Sequence, residues 1–286
     1  MTRFVFLADT HLGACPMGYQ QQPGRPDRLA DRLAALRRSI AEQGGADFIV
    51  HGGDLVDAVS EENLRAAVAE WARLSMPVRL CLGNHDLTDP DAINRWRTLA
   101  PDFFPGIRPE YTIATPDCAI HIVPNHWCER PYFWKDLQRA WFSDDQRAWL
   151  RAELRTRPDL PHILVTHSPV FGLPPEQTGF AAPYHAPEET FTRTVVGLSA
   201  EYPHVRCVLG AHNHLNSRVE RNGVQYVTVS SFVETPYEAK WLEVQPHRLT
   251  MRTVRWAGES AADPYLPDHA YAQGRPMDRA FDLILR

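Results

Sequence analysis

No apolar run in the sequence approaches the roughly 20 residues that a membrane-spanning helix needs, which argues against an integral membrane protein. There is also no low-complexity tract. Apolar residues make up 44% of the chain and charged residues 23%, which excludes a disordered, collagen-like or coiled-coil protein. The start of the chain reaches the acidic Asp9 too soon for a secretory signal peptide.

Cysteine pairs and lysine residues are scarce as well. The 5 cysteines are odd in number and form no Cys-x-x-Cys pair, so the sequence predicts free thiols in a reducing cytoplasm rather than a disulfide framework. Lys135 and Lys240 are the only lysines among 30 basic residues, and the rest are scattered arginines. The net charge of -5 argues against a large nucleic-acid-binding surface.

Short apolar segments alternate with helical patterns along the chain. In the first half, strands are predicted at 3–8, 47–50 and 78–82, with helices at 26–42 and 60–74 between them. This order predicts right-handed βαβ units and a mostly parallel sheet. The second half predicts helices at 143–155 and 187–200, strands at 162–165 and 205–209, and strand pairs at 111–114/119–123, 218–220/224–229 and 240–244/249–255. We predict one domain over 1–256, with an irregular tail at 257–286 packed on or beside it.

The most informative pattern lies at the carboxyl ends of the predicted strands. Five of them lead directly into residue types that bind metals: Asp9 with His11, Asp54, Asn84 with His85, His167, and His212 with His214. A single histidine at a strand end is more often structural than a ligand. Because ligands bind at the carboxyl ends of strands in open α/β sheets, the whole set is expected to converge on one rim.

These motifs resemble those of the calcineurin-like metallophosphoesterases, whose pattern is D-x-H, G-D, G-N-H-[DE], a strand-end His and G-H-x-H. The matching segments are Asp9-Thr10-His11, Gly53-Asp54, Gly83-Asn84-His85-Asp86, His167 and Ala211-His212-Asn213-His214. Ala211 replaces the glycine of the last motif, which removes no ligand. The resemblance covers about 3–232 and implies an α/β fold: a layered αββα sandwich of two mixed sheets, with the metal site at the carboxyl ends of the strands.

The resemblance also implies a role for each of these residues. Asp54 would bridge two metal ions; Asp9, His11 and His214 would complete one site, and Asn84, His167 and His212 the other. Mixed nitrogen and oxygen ligands suit Mn, Fe, Zn or Co. A water or hydroxide between the ions would attack phosphorus in line. His85 would contact the phosphoryl oxygen or protonate the leaving group, and Asp86 would orient His85.

The predicted function is therefore hydrolysis of a small phosphodiester, of the cyclic-nucleotide or glycerophosphodiester type, or of a phosphomonoester. Family diesterases commonly carry a further Asp after G-N-H-D, where Leu87 stands here. A nuclease is the alternative, because the opening Asp9-Thr-His-Leu-Gly13 is similar to that of double-strand-break repair nucleases. A non-catalytic scaffold is a third interpretation, against which the complete ligand set argues. We expect no membrane or nucleic-acid partner, and a homo-oligomer stays open.

Several other residues invite a functional interpretation. His51 and Asp57 flank Gly53-Asp54 and are predicted to form hydrogen bonds within that loop. His121 alternates with isoleucines in a strand and is predicted to face solvent. The loop from Phe171 to His185 comes after His167 and is a candidate binding loop. One aromatic and polar loop either lines the pocket or packs over the sheet: His126, Trp127, Arg130, Tyr132 and Trp134.

Overall fold

The computed structural model describes residues 1–15, 17, 19–106, 108–256 and 263–285. Within these residues, none of the helices is long and apolar enough to cross a membrane. The described strands are β1 (Thr2–Leu7), β2 (Phe48–His51), β3 (Val78–Leu80), β4 (Tyr111–Ala114), β5 (Ala119–Ile122), β6 (His162–Val165), β7 (Val205–Gly210), β8 (Ser217–Arg221), β9 (Val224–Thr228), β10 (Glu238–Gln245), β11 (Arg248–Arg255) and β12 (Ala280–Ile284).

These strands form two six-stranded mixed sheets. The first has the order β12-β11-β10-β1-β2-β3, and the second has the order β4-β5-β6-β7-β9-β8. In the first sheet β1, β2 and β3 are parallel, as the strand–helix–strand order predicts. The three predicted strand pairs are antiparallel neighbours: β4 with β5, β8 with β9, and β10 with β11.

Two of the six described α-helices begin at a side chain that caps their free backbone N–H groups. The six are α1 (Leu29–Glu42), α2 (Glu61–Trp71), α3 (Ala92–Leu99), α4 (Asp144–Leu154), α5 (Pro175–Thr178) and α6 (Glu189–Glu201). Ser60 caps α2, and Ser143 with Gln146 forms the predicted capping box of α4. The sequence pattern did not predict α3 or the short α5.

Strand residues alternate between two apolar cores. Phe4 and Phe6 of β1 pack between the sheets with residues such as Ile163 of β6, whereas Val5 belongs to the other core. That second core contains the apolar faces of α1 and α2 over the first sheet, and of α4 and α6 over the second. The predicted αββα sandwich with mixed sheets is therefore confirmed, and most strands are buried on both faces.

Two predictions about the ends and faces of the strands are wrong. Residues 280–284 are not an irregular tail, because β12 pairs antiparallel with β11 and extends the first sheet. Residues 257–262 of the predicted tail lie outside the described residues. His121 is fully buried rather than solvent-facing, because Trp149 of α4 covers its side of the sheet and His162 bonds its Nε2 at 2.9 Å.

Candidate metal centre

The seven predicted ligands lie together at one rim of the sandwich. They come after the carboxyl ends of parallel strands from both sheets: Asp9 after β1, Asp54 after β2, Asn84 after β3, His167 after β6, and His212 and His214 after β7, with His11 beside Asp9. Parallel strands end at the same edge, and the two stacked sheets bring their edges to each other. All seven side chains are nearly inaccessible to solvent or only partly exposed.

The first group of potential ligands is Asp9, His11 and His214, whose ligand atoms lie within 4.8 Å of one another. The Nε2 atoms of His11 and His214 face each other at 3.2 Å. The His214 Nε2 lies 3.8 Å from Oδ1 of Asp9. Two ring nitrogens and a carboxylate that point at one another form a mixed N/O donor set of the kind that transition metals accept.

The second group is Asp54, His167 and His212, also within 4.8 Å. The Nε2 atom of His167 lies 3.1 Å from Oδ2 of Asp54, and Nδ1 of His212 lies 3.0 Å from Oδ1 of Asn84. The same Oδ2 of Asp54 lies 3.9 Å from Nε2 of His11, which belongs to the first group. Asp54 therefore stands between the two groups, where a bridging carboxylate has to be.

Hydrogen bonds behind the rings set which nitrogen faces the centre. Nδ1 of His167 lies 2.8 Å from the carbonyl oxygen of Gly52. A carbonyl oxygen only accepts, so Nδ1 donates to it, and Nε2 is the ring nitrogen that faces Asp54. Nδ1 of His214 bonds to the carboxylate of Glu234 in the same way, which directs its Nε2 towards Asp9 and His11.

The backbone at the rim is held in an unusual conformation. Five of the seven residues have left-handed φ values: Asp9 (56°), His11 (42°), Asp54 (53°), His212 (71°) and His214 (58°). Such values cost of order 1–3 kcal/mol each for non-glycine residues and cluster at functional sites. The rest of the fold therefore strains these turns in order to aim their side chains inward.

Two glycines of the motifs are explained by close approach. A Cβ on Gly53 would lie 2.3 Å from Nδ1 of His167, and a Cβ on Gly83 would lie 2.2 Å from Oδ1 of Asp54. No side chain fits at either position while His167 and Asp54 keep their places. Gly53 also has a φ of 114°.

Burial and mutual charge pull the pKa values of the centre apart. Burial raises the pKa of Asp9 to about 7, although positive charge on His214 and His167 opposes it. Burial lowers the pKa values of His11, His212 and His214. Burial acts against ionised Asp54, but the charges of His167 and His85 outweigh it and hold its pKa well below the usual range.

The donor set fits metal ions on an observation that is independent of the motifs. Both carboxylate oxygens of Asp9 are buried without a hydrogen-bond partner among the described residues. Leaving such groups buried and unpaired costs several kcal/mol. Cations placed between the two groups would satisfy these atoms and neutralise the carboxylates.

Comparison with known proteins agrees with this geometry. The family pattern described as calcineurin-like phosphoesterase matches residues 2–216. The chain belongs to the calcineurin-like phosphoesterase family. No curated protein sequence matches it.

Solved structures of distant relatives share the fold. A dimetal phosphatase from Danio rerio superposes with a TM-score of 0.68 at 16% identity, covering 90% of this chain and 99% of that one. Purple acid phosphatase PPD1 from yellow lupin seeds has a TM-score of 0.62 at 13% identity, and the match covers 99% of this chain and 54% of that one. GAP50, the anchor in the inner membrane complex of Plasmodium, also has a TM-score of 0.62 at 13% identity, and the match covers 100% of this chain and 89% of that one.

Membership in the calcineurin-like family has a direct functional consequence. The protein is a hydrolase that cleaves phosphate esters with the help of metal ions, and the family implies a dinuclear metal site. The fold alone does not distinguish a phosphatase from an anchor such as GAP50. The candidate ligand groups on this chain therefore carry the finer argument.

The role expected for Asp86 needs correction. Its carboxylate does not orient His85, because Oδ1 accepts the backbone N–H groups of Leu55 and Val56 and Oδ2 accepts that of Gly83. Asp86 thus ties the loop after β2 to the loop after β3, which fixes Asp54 relative to Asn84.

Asp57 takes the place beside the ring of His85. Nδ1 of His85 lies 2.7 Å from the Asp57 carbonyl oxygen and 3.4 Å from its Oδ1, which also lies 3.4 Å from Nδ1 of His11. Burial would lower the pKa of His85, but the charges of Asp54 and Asp57 outweigh burial and raise it to about 9. His51 forms a hydrogen bond within its loop, as predicted, because its Nδ1 accepts the backbone N–H of Gly53 at 3.2 Å; its Nε2 lies 3.0 Å from the Thr10 hydroxyl.

The aromatic loop packs around the centre. The rings of Trp127 and His212 are 4.5 Å apart, and those of Trp134 and His85 are 5.0 Å apart. Of the two alternatives left open, packing over the sheet is favoured, because Trp127 is buried in the apolar core and Trp134 packs against that core, whereas neither lines the described pocket. Arg130 is exposed and bonds to the carbonyl oxygen of Pro90.

Sequence reasoning missed Glu234, Tyr19 and Gln138. Glu234 is buried, bonds to Nδ1 of His214, and accepts the backbone N–H groups of Gln21 and Gln22 at 3.0 and 2.8 Å. The sequence signal for Glu234 is that it is a single acidic residue within the mostly apolar stretch before Pro236. Burial raises the pKa of Glu234 to about 8.

The Glu234→Gln variant is expected to bind metal roughly 10- to 100-fold more weakly, as is typical when a carboxylate behind a histidine ligand is lost. Titration against a competing chelator measures this. Glu238→Gln is the matched control, because Glu238 is equally buried but bonds to Asn216 and Arg279. Equal metal affinity in Glu234→Gln and the wild type would contradict a metal-supporting role for Glu234.

Proposed function

We propose that this phosphoesterase hydrolyses a small phosphodiester, of the cyclic-nucleotide or glycerophosphodiester type, with a small phosphomonoester as the second candidate. The observation that carries the proposal is a pocket lined by members of both ligand groups and by His85, with a free volume of about 70 Å³. One water needs roughly 10–15 Å³ of such volume. The pocket therefore has room for a phosphoryl group next to the ligand side chains.

The charge of the pocket supports the diester. Its described lining is His11, Tyr19, Asp54, Asn84, His85, Gln138, His185, His212 and His214. None of these is an arginine or a lysine. A phosphomonoester carries about 1.5–2 negative charges at pH 7, whereas a diester carries one. Apart from His85 and the ions that the pocket would hold, its described lining offers no cationic group for the second charge of a monoester, which supports the diester.

The ligand assignment corresponds to the two groups. Asp9, His11 and His214 would hold one ion, Asn84, His167 and His212 the other, and Asp54 both. When bound, two such ions neutralise charge on the phosphoryl oxygens and make a nucleophile from water at neutral pH. The nitrogen and oxygen donors suit Mn, Fe, Zn or Co.

His85 is proposed to protonate the leaving group. Its Nδ1 donates to the carbonyl oxygen of Asp57, since that oxygen only accepts. Nε2 is then the nitrogen that gives and regains a proton during turnover. Asp57 and the ring of Trp134 fix the orientation of the imidazole. This arrangement is that of a positioned general acid.

The proposal is tested with purified protein loaded in turn with Mn, Zn and Fe(II). We expect bis(p-nitrophenyl) phosphate to be hydrolysed with a higher kcat/KM than p-nitrophenyl phosphate in the most active metal form. The reverse order would identify a monoesterase. Cyclic nucleotides and glycerophosphodiesters then identify the class of diester.

A nuclease is the alternative from the same family. The net charge of -5 and the small pocket both count against it. Binding to duplex DNA that weakens steeply with added salt would favour the nuclease over the small-molecule enzyme. We also propose a reducing, cytoplasmic location, which all five cysteines support by being free thiols.

A further inference from the structure

Two residues without a proposed function stand in the pocket wall on the His214 side. Tyr19 and His185 both line the pocket. The Tyr19 ring packs edge-on against His214, with ring centroids 5.0 Å apart. Neither residue belongs to the motifs that identify the family, and neither is in the ligand groups. Both residues face the free volume, and Tyr19 contacts a proposed ligand ring, which is a position suited to a substrate contact.

A hydrogen bond joins the two side chains across a long stretch of sequence. The Tyr19 hydroxyl lies 2.8 Å from Nε2 of His185, 166 positions away. Tyr19 comes from the loop after β1, and His185 from the predicted binding loop after His167. A single contact therefore joins two separate loops at the edge of the metal centre.

The proton positions in this contact can be assigned. The Gln21 amide nitrogen donates to the Tyr19 oxygen, because Oε1 of Gln21 already accepts from the Tyr271 hydroxyl at 3.0 Å. The Tyr19 O–H then donates to Nε2 of His185 at 2.8 Å rather than to the Asn213 carbonyl at 3.3 Å. A neutral imidazole that accepts at Nε2 carries its proton on Nδ1. His185 is left with an Nδ1–H donor.

The 3-10 segment Pro267–Gln273 forms hydrogen bonds to both loops on the side away from the pocket pair. Nδ1 of His269 bonds to the carbonyl oxygen of Gln21 at 2.7 Å. The Gln177 amide, from the other loop, bonds to the carbonyl oxygen of Tyr271 at 2.9 Å. Leu173 and Tyr184 close the base of that loop through two backbone hydrogen bonds. The pair is thus preorganised, as an effective substrate contact requires.

We propose that His185 holds a phosphoryl oxygen of the substrate through its Nδ1–H, and that Tyr19 positions the imidazole for this task. The inference rests on the proposed function, because it assigns a contact to the same substrate. It answers a chemical need of the pocket: phosphoryl oxygens accept hydrogen bonds, and no arginine or lysine lines the described pocket to donate them. A neutral donor also suits a substrate with one negative charge.

Two isosteric variants separate the roles of the two ring nitrogens. His185→Asn keeps an amide donor near the Nδ1 position, whereas His185→Gln keeps an acceptor for Tyr19 near the Nε2 position. The probe is inorganic phosphate, titrated into the Mn-loaded protein by calorimetry. We expect His185→Gln to raise the phosphate Kd roughly 10- to 100-fold, the usual loss for a hydrogen bond to a charged group. His185→Asn should lose clearly less.

Tyr19→Phe tests the positioning role. It should raise the phosphate Kd less than His185→Gln does, and adding it to His185→Gln should cause no further loss, since Tyr19 acts only through His185. Tyr184→Phe is the matched control and should bind phosphate nearly like the wild type, because among the described residues the Tyr184 hydroxyl forms no hydrogen bond to His185 and lies 3.3 Å from the Gln21 amide nitrogen. Metal content, measured by elemental analysis, should remain at the wild-type value in all four single variants.

Three results would overturn the inference: wild-type phosphate affinity in His185→Gln, additive effects of Tyr19→Phe and His185→Gln, or loss of metal in either variant. The readout does not depend on turnover. The wild type and the variants could bind phosphate with the expected order of affinities while the wild type hydrolyses no ester. In that case the proposed function is wrong and the proposed contact is supported. If hydrolysis is normal in His185→Gln and phosphate binding is unchanged, only the contact fails.

Discussion

Replacing His85 by alanine is expected to lower kcat by roughly 10²–10⁴-fold, the range for a positioned acid–base group. Metal content should stay near normal, because Nδ1 of His85 is committed to Asp57 and the residue lies outside the two ligand groups proposed to hold the ions. Turnover is measured on two diesters that differ only in the leaving group. Hydrolysis of the diester that releases p-nitrophenolate should depend little on His85. Hydrolysis of the diester that releases an alkoxide should depend on it strongly, because the alkoxide needs protonation.

The leaving-group comparison makes the role of His85 falsifiable. Equal losses on both diesters would instead assign His85 to electrostatic stabilisation of the phosphoryl oxygens. Full activity of His85→Ala on both substrates, alongside an inactive His212→Ala, would mean that the metals alone carry the chemistry. Asp57→Asn serves as the positioning variant: it keeps the backbone carbonyl that holds Nδ1, so its loss should be smaller than that of His85→Ala.

Replacing Asp54 by alanine should abolish activity and remove more metal than replacing Asn84. The reason is geometric: Oδ2 of Asp54 lies 3.1 Å from Nε2 of His167 and 3.9 Å from Nε2 of His11, so its carboxylate serves both groups. Among the described residues, the Asn84 side chain bonds to His212, which belongs to the second group. Elemental analysis after desalting measures the difference. Two full equivalents retained by Asp54→Ala would reject the bridging assignment.

Thermal melting gives an independent test of the same change. Ions that bind only the folded site stabilise it by mass action, by about 2.7 kcal/mol at 100 times Kd. Chelator should therefore lower the melting temperature of the wild type. In Asp54→Ala the chelator effect should be much smaller, because little metal is left to remove. A wild-type melting temperature that does not change when chelator is added would contradict a preformed dinuclear site.

Asp86 and His121 show how local patterns mislead when the fold supplies the partner. Asp86 comes directly after His85 in sequence, so a pairing of the two was the natural expectation. The tight turn points the Asp86 carboxylate back to the amides of Leu55, Val56 and Gly83 instead. His121 alternates with apolar residues, which indicates a strand but not whether α4 covers its other face.

The sequence by itself determined the family, through five motifs that resemble those of the calcineurin-like phosphoesterases. Chain order alone predicted the parallel strands and the convergence of the candidate ligands, because parallel strands end at one rim. The αββα layering and the metal chemistry followed from the resemblance. Motifs and the order of strands and helices are features that the sequence records directly.

Only the tertiary structure decided which partners stand behind and around the centre. Glu234 bonds to His214, Asp57 to His85, and Tyr19 to His185, and each pair is joined across 20, 28 and 166 positions respectively. Side-chain hydrogen bonds of this kind leave no period in the sequence, because they depend on how loops from different strands meet. The conversion of the tail into β12 has the same cause, since a free strand edge on β11 recruits it.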